Sequence, residues 1–262
     1  MRLTKHHGLG NDFLICLMHE EPNEVSALAR RLCDRRTGIG ADGLIVGLPG
    51  VDGADLVMVL HNADGSYAEM SGNGIRCLAQ AHAMDNKTGA ASFQIDTGGG
   101  RRQVEIDGDG PEAQITVGMG LVGPGPGVRD EITNDLSHSM SATADLGNPH
   151  LVVVVDDCST VDLSDLGNRY EALYPDGINI EVISIEDGQA DTLDMVVWER
   201  GVGVSQACGT GAAAAAVRAH QWNLVKDEVC VQMPGGSVRV LVEKEPILIG
   251  PAMYVGAIEV SL

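Results

Sequence analysis

The sequence has few aromatic and few basic residues. Aromatic side chains make up 3% of the 262 residues, so a hydrophobic core has to be built mainly from aliphatic side chains. Lysine and arginine together number 17 against 37 acidic residues, which gives a formal net charge of −20. Because no basic surface is available to neutralise phosphates, nucleic-acid binding is not expected. No apolar run approaches the length of a membrane helix and no signal-peptide core follows Met1, so a cytoplasmic location without membrane attachment is expected.

The sequence also lacks the usual patterns of metal and cofactor sites. Its six cysteines have no Cys-x-x-Cys spacing and its histidines are not spaced as metal ligands, so no metal site is predicted. Gly38, Gly40 and Gly43 match a dinucleotide-binding glycine pattern, but they follow a predicted helix and precede a predicted strand, the reverse of that fold. No lysine lies in a motif for a Schiff base with pyridoxal phosphate. A reaction without a cofactor is therefore expected.

The clearest pattern present is a cysteine placed between a glycine-bearing turn and an alanine run. Within residues 199–220, Cys208 is followed by Gly209, Gly211 and the alanines of 212–216. Alanine favours a helix and glycine disfavours one, so a helix is predicted to begin near Gly209. A thiol at a helix N-terminus meets unpaired N–H groups and a positive dipole end, which predicts a pKa below the usual value of ~8.5. The alternative is a small buried cysteine packed beside alanines.

A related stretch lies 137 residues earlier, since the shift that sets Ser71 on Cys208 (208 − 71) aligns other polar and glycine positions too. The further pairs are Gly72/Gly209, Asn73/Thr210, Gly74/Gly211, Gly10/Gly147, Asn11/Asn148, Asp42/Asn179 and Asn62/Glu199. A repeat at half the chain length predicts two like domains that face one cleft. The predicted bounds are 1–114 with the last strand 252–262, and 115–251, with a glycine- and proline-rich linker at 118–127.

Hydrophobic patterning predicts an α+β (α/β) chain in which each half has one helix inside a curled sheet. The helices at 73–84 and from Gly209 are apolar on nearly every side, as expected of helices surrounded by sheet. Two further helices are predicted, one opening at Pro22 and one at 163–173. Strands are predicted at 2–7, 13–18, 44–48, 55–61, 91–96, 103–107, 113–117, 151–155, 178–185, 192–198, 229–232, 237–242, 247–249 and 253–262.

Two helix N-termini directed at one cleft favour a particular chemistry. Their backbone N–H groups and positive dipole ends would hold a carboxylate. A reactive group at each helix start would then flank the carbon attached to that carboxylate. Removing a proton from one face and delivering one to the other is racemisation without a cofactor.

Six motifs, taken in order along the whole chain, resemble the signature set of the diaminopimelate epimerases. They are GLGNDF (8–13), GIGADG (38–43), HNADGS (61–66), EMSGNGIRC (69–77), GNPH (147–150) and ERGVGVSQACGTG (199–211). The resemblance implies two pseudo-symmetric domains, each a barrel-like mixed sheet around a central apolar helix, with the active site in the interdomain cleft. It implies conversion of LL-2,6-diaminopimelate to the meso form without pyridoxal phosphate, in lysine and peptidoglycan synthesis. A small diamino dicarboxylic acid is the expected partner, and a homodimer is among the assemblies expected.

The resemblance also implies roles for individual residues. Cys208 matches one of two catalytic thiols, and His150 matches a histidine beside the bases. Glu199 matches the acceptor of the reacting ammonium group. The residues that match the distal substrate contacts are Asn11, Asn62, Asn148, Asn179 and Arg200, and those that match the amides around the reacting carboxylate are Gly72, Asn73, Gly209 and Thr210.

One position departs from the family pattern, because Ser71 stands where the other catalytic cysteine belongs. Serine is a good helix N-cap, but a pKa gap of at least ~5 units from a thiol makes its oxyanion ~7 kcal/mol harder to form. Ser71 could be an engineered replacement that traps a ligand, or a natural serine that works through the helix dipole, as in proline-racemase relatives that pair serine with cysteine. The third explanation is divergence, either to a related amino-acid epimerase with a Ser/Cys pair or to a substrate-binding protein that has lost turnover.

Overall fold

The structure is a computed structural model that describes residues 1–108, 110–135, 137–186 and 188–261. The chain divides into two compact units, one formed by Met1–Gly118 with Ile249–Leu262 and the other by Met119–Leu248. The division falls at the start of the glycine- and proline-rich segment 118–127. Leu262, the last residue of the predicted final strand, lies outside the described residues.

The first unit is a sheet wrapped around a helix. Its strands are β1 (Arg2–Gly8), β2 (Asn11–Leu17), β3 (Gly43–Pro49), β4 (Leu56–Asn62), β5 (Tyr67–Ala68), β6 (Ala90–Thr97), β7 (Gly100–Asp107) and β8 (Glu112–Gly118). Helix α1 (Val25–Cys33) packs through Val25, Ala29 and Leu32 into a cluster with Leu14 and Leu44. Helix α2 (Gly72–Asn86) contacts β1, β2, β3, β4, β7 and β8, and 11 of its 15 residues are buried. It therefore forms the centre of this unit.

The second unit has the same plan. Its strands are β9 (Met140–Asp145), β10 (Pro149–Val154), β11 (Asn179–Ser184), β12 (Thr192–Glu199), β13 (Gly203–Ser205), β14 (Glu228–Met233) and β15 (Gly236–Leu241). Its helices are α3 (Asp130–Thr133), α4 (Leu163–Glu171) and α5 (Gly209–Gln221). Helix α5 contacts β9, β10, β11, β12, β14 and β15, and 10 of its 13 residues are buried. The alanine run makes this possible because small side chains let the surrounding strands approach closely.

The strand pairing of the first unit is repeated in the second. The pairs β2–β3 and β10–β11 are parallel, as are β4–β6 and β12–β14. The pairs β1–β2, β9–β10, β6–β7 and β14–β15 are antiparallel. The central helices begin at Gly72 and Gly209, which the shift of 137 residues relates (209 − 72). The internal duplication predicted from the sequence is confirmed.

The last strand, β16 (Ile247–Glu259), closes the first unit into a barrel. It lies between β8 and β1, and pairs antiparallel with β1 from Arg2↔Glu259 to His7↔Met253. The path β1-β2-β3-β4-β6-β7-β8-β16 therefore returns to β1 as a closed eight-stranded barrel. Closure removes the exposed strand edges that an open sheet would keep. The predicted fold class, two α+β units with a barrel-like sheet around a central helix, is confirmed.

Some local predictions are wrong. The helix predicted to open at Pro22 begins at Val25, because Glu24 has a left-handed backbone with φ 55° that cannot continue into the helix from the N-terminal side. The strands predicted at 247–249 and 253–262 are one strand, β16, which runs through Pro251. Strand β9 was not predicted, because its sequence MSATAD has small side chains and no long apolar run.

Candidate functional site

The two positions predicted to carry the bases are the N-caps of the two central helices. Ser71 has φ −144° and ψ 119°, and its Oγ accepts a 3.0 Å hydrogen bond from the Gly74 amide. Cys208 has φ −131° and ψ 117°, and its Sγ accepts a 3.4 Å hydrogen bond from the Gly211 amide. An extended residue that bonds the amide three positions later is the usual N-cap arrangement. Each helix therefore begins with an oxygen or sulfur atom at its positive end.

In the first unit, amide side chains and a buried arginine surround the start of α2. Asn73 Nδ2 donates to Asn11 Oδ1 at 3.1 Å, and Asn11 Nδ2 donates to Asp42 Oδ2 at 3.1 Å. The guanidinium of Arg76, which is fully buried, donates to Asn73 Oδ1 at 2.9 Å and to the Gly72 carbonyl at 3.0 Å. A positive charge directly behind the first turn adds to the helix dipole. This helix start therefore favours an anion.

A group of ion pairs holds the loops around Asn11 in place. Arg35 bonds both Asp12 Oδ1 and Asp42 Oδ1 at 2.7 Å, and Lys5 Nζ lies 2.8 Å from Asp12 Oδ2. Burial alone would raise the pKa of Asp12, but hydrogen bonds from Arg35 and Lys5 outweigh it and lower the pKa to about 2. Asp12 is therefore ionised at neutral pH, and its ion pairs fix the strand that carries Asn11.

Asn62 lies at the end of β4 and is held within a turn. Its Nδ2 donates to Ser66 Oγ at 3.0 Å, and Ser66 Oγ donates to Asp64 Oδ1 at 2.6 Å. The side chain is half-buried. These bonds give Asn62 a structural role in the turn, and its role toward a substrate stays a prediction.

In the second unit, a chain of polar contacts leads from a buried carboxylate to Cys208. Glu181 Oε1 lies 2.8 Å from His150 Nδ1, and His150 Nε2 lies 3.0 Å from Asn148 Oδ1. Asn148 Nδ2 donates to Thr210 Oγ1 at 3.3 Å, and Thr210 Oγ1 lies 3.5 Å from Cys208 Sγ. Four of these residues were predicted as site residues, and the structure brings them together. The shift of 137 residues relates the Asn148–Thr210 contact to the Asn11–Asn73 contact of the first unit.

Glu181 is the member of this chain that sequence reasoning missed. It is fully buried in β11, where all six residues are buried, and Gly211 leaves room for it. A Cβ at position 211 would overlap Glu181 Oε1 and would lie 3.0 Å from Cδ. The available signal was a charged residue between Ile180 and Val182 in a predicted strand. At the positions of the first unit related to Glu181 and His150 stand Leu44 and Phe13, so the contact between Glu181 and His150 has no counterpart there.

The pKa of Cys208 is raised well above its usual value, so the predicted lowering was wrong. Burial is the largest cause, because the residue is 6% exposed, and the carboxylates of Glu199 and Glu181 also raise the pKa. Hydrogen bonds from Thr210 and Gly211 act in the opposite direction but are weaker. The expected lowering rested on the helix N-terminus alone, whereas the alternative, a small cysteine packed beside the alanines, agrees with the burial of Cys208. A cation bound beside Glu199 would remove part of the rise.

Asn179 and the residues around it shape the end of β12. Asn179 Nδ2 donates to the Pro149 carbonyl at 2.9 Å, and the Arg200 amide donates to Asn179 Oδ1 at 3.0 Å. Asn179 is buried, whereas Glu199 and Arg200 are half-buried at the strand end. Asn179 therefore fixes the backbone that carries both charged residues. The roles of all three toward a substrate stay predictions.

The structure also bears on Cys77 as a possible base, on metal binding and on membrane attachment. Cys77 is fully buried, and burial raises its pKa to about 12, so its thiol is a poor replacement for a base at Ser71. Among the described residues, no group of three or more His, Cys, Asp or Glu side chains is arranged to hold a metal ion. Of the helices in the described part of the chain, none is both long and apolar enough to span a membrane.

The chain is similar to known proteins over its full length. The family model for diaminopimelate epimerase matches residues 3–123 and 142–255. A diaminopimelate epimerase from Trichodesmium erythraeum is 38% identical and the match covers 95% of each chain, and one from Halothermothrix orenii is 36% identical with coverage of 100% and 99%.

Solved structures share the fold. A hydroxyproline epimerase from Agrobacterium vitis has a TM-score of 0.73 at 16% identity, with 98% of this chain and 91% of that chain covered. A PhzF-family phenazine biosynthesis protein from Bacillus anthracis has a TM-score of 0.72 at 15% identity, with coverage of 100% and 99%. At these identities the likeness concerns the fold alone.

Proposed function

The chain belongs to the diaminopimelate epimerase family, and we propose that it interconverts LL- and meso-2,6-diaminopimelate by removing and returning an α-proton. The observation that carries the proposal is the matched pair of helix starts, with Ser71 Oγ and Cys208 Sγ at equivalent N-caps. Each atom accepts a hydrogen bond from the amide three residues later. In this proposal side chains take and return the α-proton without a cofactor.

Cys208 is the base in this proposal. Its Sγ takes the α-proton, so that the carbon–hydrogen bond breaks, a sulfur–hydrogen bond forms and the electron pair moves toward the substrate carboxylate. The amides of Gly209 and Thr210 stabilise the charge that develops there. The substrate's ammonium group beside Glu199 offsets one of the causes that raise the Cys208 pKa. The thiolate is then easier to form with substrate bound than without it.

Ser71 supplies the second proton-transferring group. Its hydroxyl is a weak base but can deliver or relay a proton to the opposite face of the carbon. The buried Arg76 and the amides of Gly72 and Asn73 favour the carboxylate at this end. Because Cys208 and Ser71 differ in base strength, we expect unequal rates of α-proton exchange from the two stereoisomers. The stereoisomer that presents its proton to Cys208 should exchange faster than the one that presents it to Ser71.

Proton exchange in D₂O tests this function directly. Loss of the α-proton signal is followed by NMR for LL- and meso-diaminopimelate with the wild type and with Cys208→Ala. We expect exchange from both stereoisomers at unequal rates, and none with Cys208→Ala. Binding without exchange from either stereoisomer would identify a substrate-binding protein instead. An unchanged rate in Cys208→Ala would remove Cys208 from the mechanism.

The substrate class needs a separate measurement. Glu199 and Arg200 offer opposite charges at the end of β12, which suits a zwitterionic amino acid with a second polar end. Calorimetry should therefore show tighter binding of diaminopimelate than of 4-hydroxyproline. Preference for the proline ring would favour a related epimerase with a Ser/Cys pair. Assembly as a homodimer and a cytoplasmic location stay predictions, of which sedimentation velocity tests the first.

A further inference from the structure

The buried contacts behind Cys208 define a direction of hydrogen bonding. Asn148 Nδ2 donates to Thr210 Oγ1, so Asn148 Oδ1 faces His150 Nε2 and can only accept. His150 Nδ1 lies 2.8 Å from a carboxylate oxygen of Glu181, which also accepts. An imidazole that donates from both nitrogens is an imidazolium. The fully buried positive ring is then paired with a fully buried carboxylate, as a buried charge requires.

The same direction of hydrogen bonding extends to Cys208 Sγ. Because Thr210 Oγ1 accepts from Asn148, its own hydrogen is available for Cys208 Sγ at 3.5 Å. The Gly211 amide donates to the same sulfur at 3.4 Å. Sγ therefore receives two hydrogen bonds, and hydrogen bonds to the charged form favour it. This arrangement supports the thiolate against the burial that opposes it.

We propose that Glu181 is a positioning residue that holds His150 as the imidazolium and thereby fixes the relay from Asn148 through Thr210 to Cys208. The proposal rests on the function of Cys208 as a base. Without the carboxylate, His150 becomes neutral and one of its nitrogens has to accept. Asn148 then turns its amide toward His150 Nε2, and the Thr210 hydroxyl donates to Asn148 instead of to the sulfur.

The surroundings of the Glu181 carboxylate are consistent with this positioning role. Within the described part of the chain, Glu181 Oε2 is buried without a hydrogen-bond partner, so the carboxylate is oriented by His150 and by the space over Gly211. The titratable groups that act on the pKa of Cys208 are Glu199 on β12 and Glu181 on β11, and His150 on β10 pairs with Glu181. The His150 imidazolium offsets the charge of Glu181, so losing the relay should outweigh losing the direct effect of that carboxylate on the Cys208 pKa. Removing Glu181 and removing Glu199 should therefore have opposite effects.

The test is the pH dependence of Cys208 alkylation by iodoacetamide, measured on the Cys208 peptide by mass spectrometry without substrate. With Glu181→Gln, the half-maximal pH should rise by roughly one unit, a loss of about tenfold in rate below it. With Glu199→Gln as the matched control, the half-maximal pH should fall. A fall in Glu181→Gln would mean that Glu181 acts only as a nearby negative charge, and no change would mean that it does not act on Cys208. Either result overturns the proposal.

Two further measurements separate positioning from a general structural effect. Thr210→Val removes the donating hydroxyl, so it should raise the half-maximal pH as Glu181→Gln does, and the double variant should show no additional rise. Additive rises in the half-maximal pH would contradict a relay that runs from Glu181 through Thr210 to Cys208. Nitrogen-15 NMR of the His150 ring should show both nitrogens protonated in the wild type and one in Glu181→Gln, and a neutral ring in the wild type would refute the proposal. These readouts need no turnover, so they stand apart from the test of the proposed function.

Discussion

Replacing Gly211 by alanine is expected to destabilise the second unit by about 1.5–5 kcal/mol. A Cβ at this position would overlap Glu181 Oε1 and would lie 3.0 Å from Cδ and 3.1 Å from Cγ. Glu181 cannot turn toward water, because it is fully buried and bonded to His150 Nδ1 at 2.8 Å. The added methyl group therefore acts on a buried ion pair.

The magnitude follows from three contributions. Restoring a contact distance of ~3.5 Å moves the carboxylate by roughly an ångström, which is enough to break its bond to His150. The lost bond to a charged group costs about 1.5–3 kcal/mol, and overpacking costs about 1–3 kcal/mol. Alanine returns at most about 1 kcal/mol through its greater helix propensity. The unfavourable contributions exceed this gain, so Gly211→Ala should destabilise the second unit.

Tryptophan fluorescence in urea is a suitable assay, because both tryptophans, Trp198 and Trp222, lie in the second unit. The midpoint should fall by roughly 1–2 M. The matched control is Gly74→Ala, the related position in α2, where the nearest atoms to a new Cβ are Ile45 Cδ1 at 3.1 Å and Ser71 Cβ at 3.1 Å. Its midpoint, followed by circular dichroism, should correspond to a change within about 1 kcal/mol.

Equal urea midpoints for the wild type and Gly211→Ala would refute this reasoning. So would a loss of the same size in Gly74→Ala, because the cost would then belong to any alanine in the first helical turn. The comparison therefore isolates the effect of Glu181.

Three further predictions concern the first unit and the bases. Ser71→Cys should raise epimerisation by about 10²-fold by supplying a stronger base, and an unchanged rate in the D₂O assay would contradict this. Burial lowers the pKa of His6 to about 4, so the folded protein binds its proton less readily than the unfolded chain. Stability should therefore fall by roughly 3 kcal/mol as the pH drops from about 6.5 to about 4, and His6→Gln should lose this dependence in urea titrations. Arg76→Met should raise the substrate KM more than it lowers kcat, since it removes a positive charge behind the helix start; a change confined to kcat would contradict this.

The duplicated fold could be predicted because the repeat is visible in glycine and polar positions, such as Gly72/Gly209 and Asn11/Asn148. The apolar faces of both central helices also indicated that sheet surrounds them. Strand β9 was not predicted, because its pairing with β10 makes it a strand and its own apolar content does not.

The site could be predicted only in part. The N-cap positions of Ser71 and Cys208 follow from local sequence, whereas the pKa of Cys208 depends on burial and on Glu181, which is 27 residues away in the chain (208 − 181). Glu181 belongs to no local sequence motif, and its contact with His150 exists only because β10 and β11 pair in parallel. Long-range pairing of this kind is not encoded in any short window.

The return of β16 to the first barrel bears on how the protein is made. A ribosome releases residues 1–118 first, yet these lack the strand that joins β8 to β1. The second unit, Met119–Leu248, is continuous in sequence and contains only the first two residues of β16, so it emerges before the part of β16 that belongs to the first unit. We therefore expect the N-terminal barrel to finish folding last, against the usual order of synthesis. Until then β1 and β8 are open edges, so a nascent chain arrested before Ile249 should be prone to aggregation.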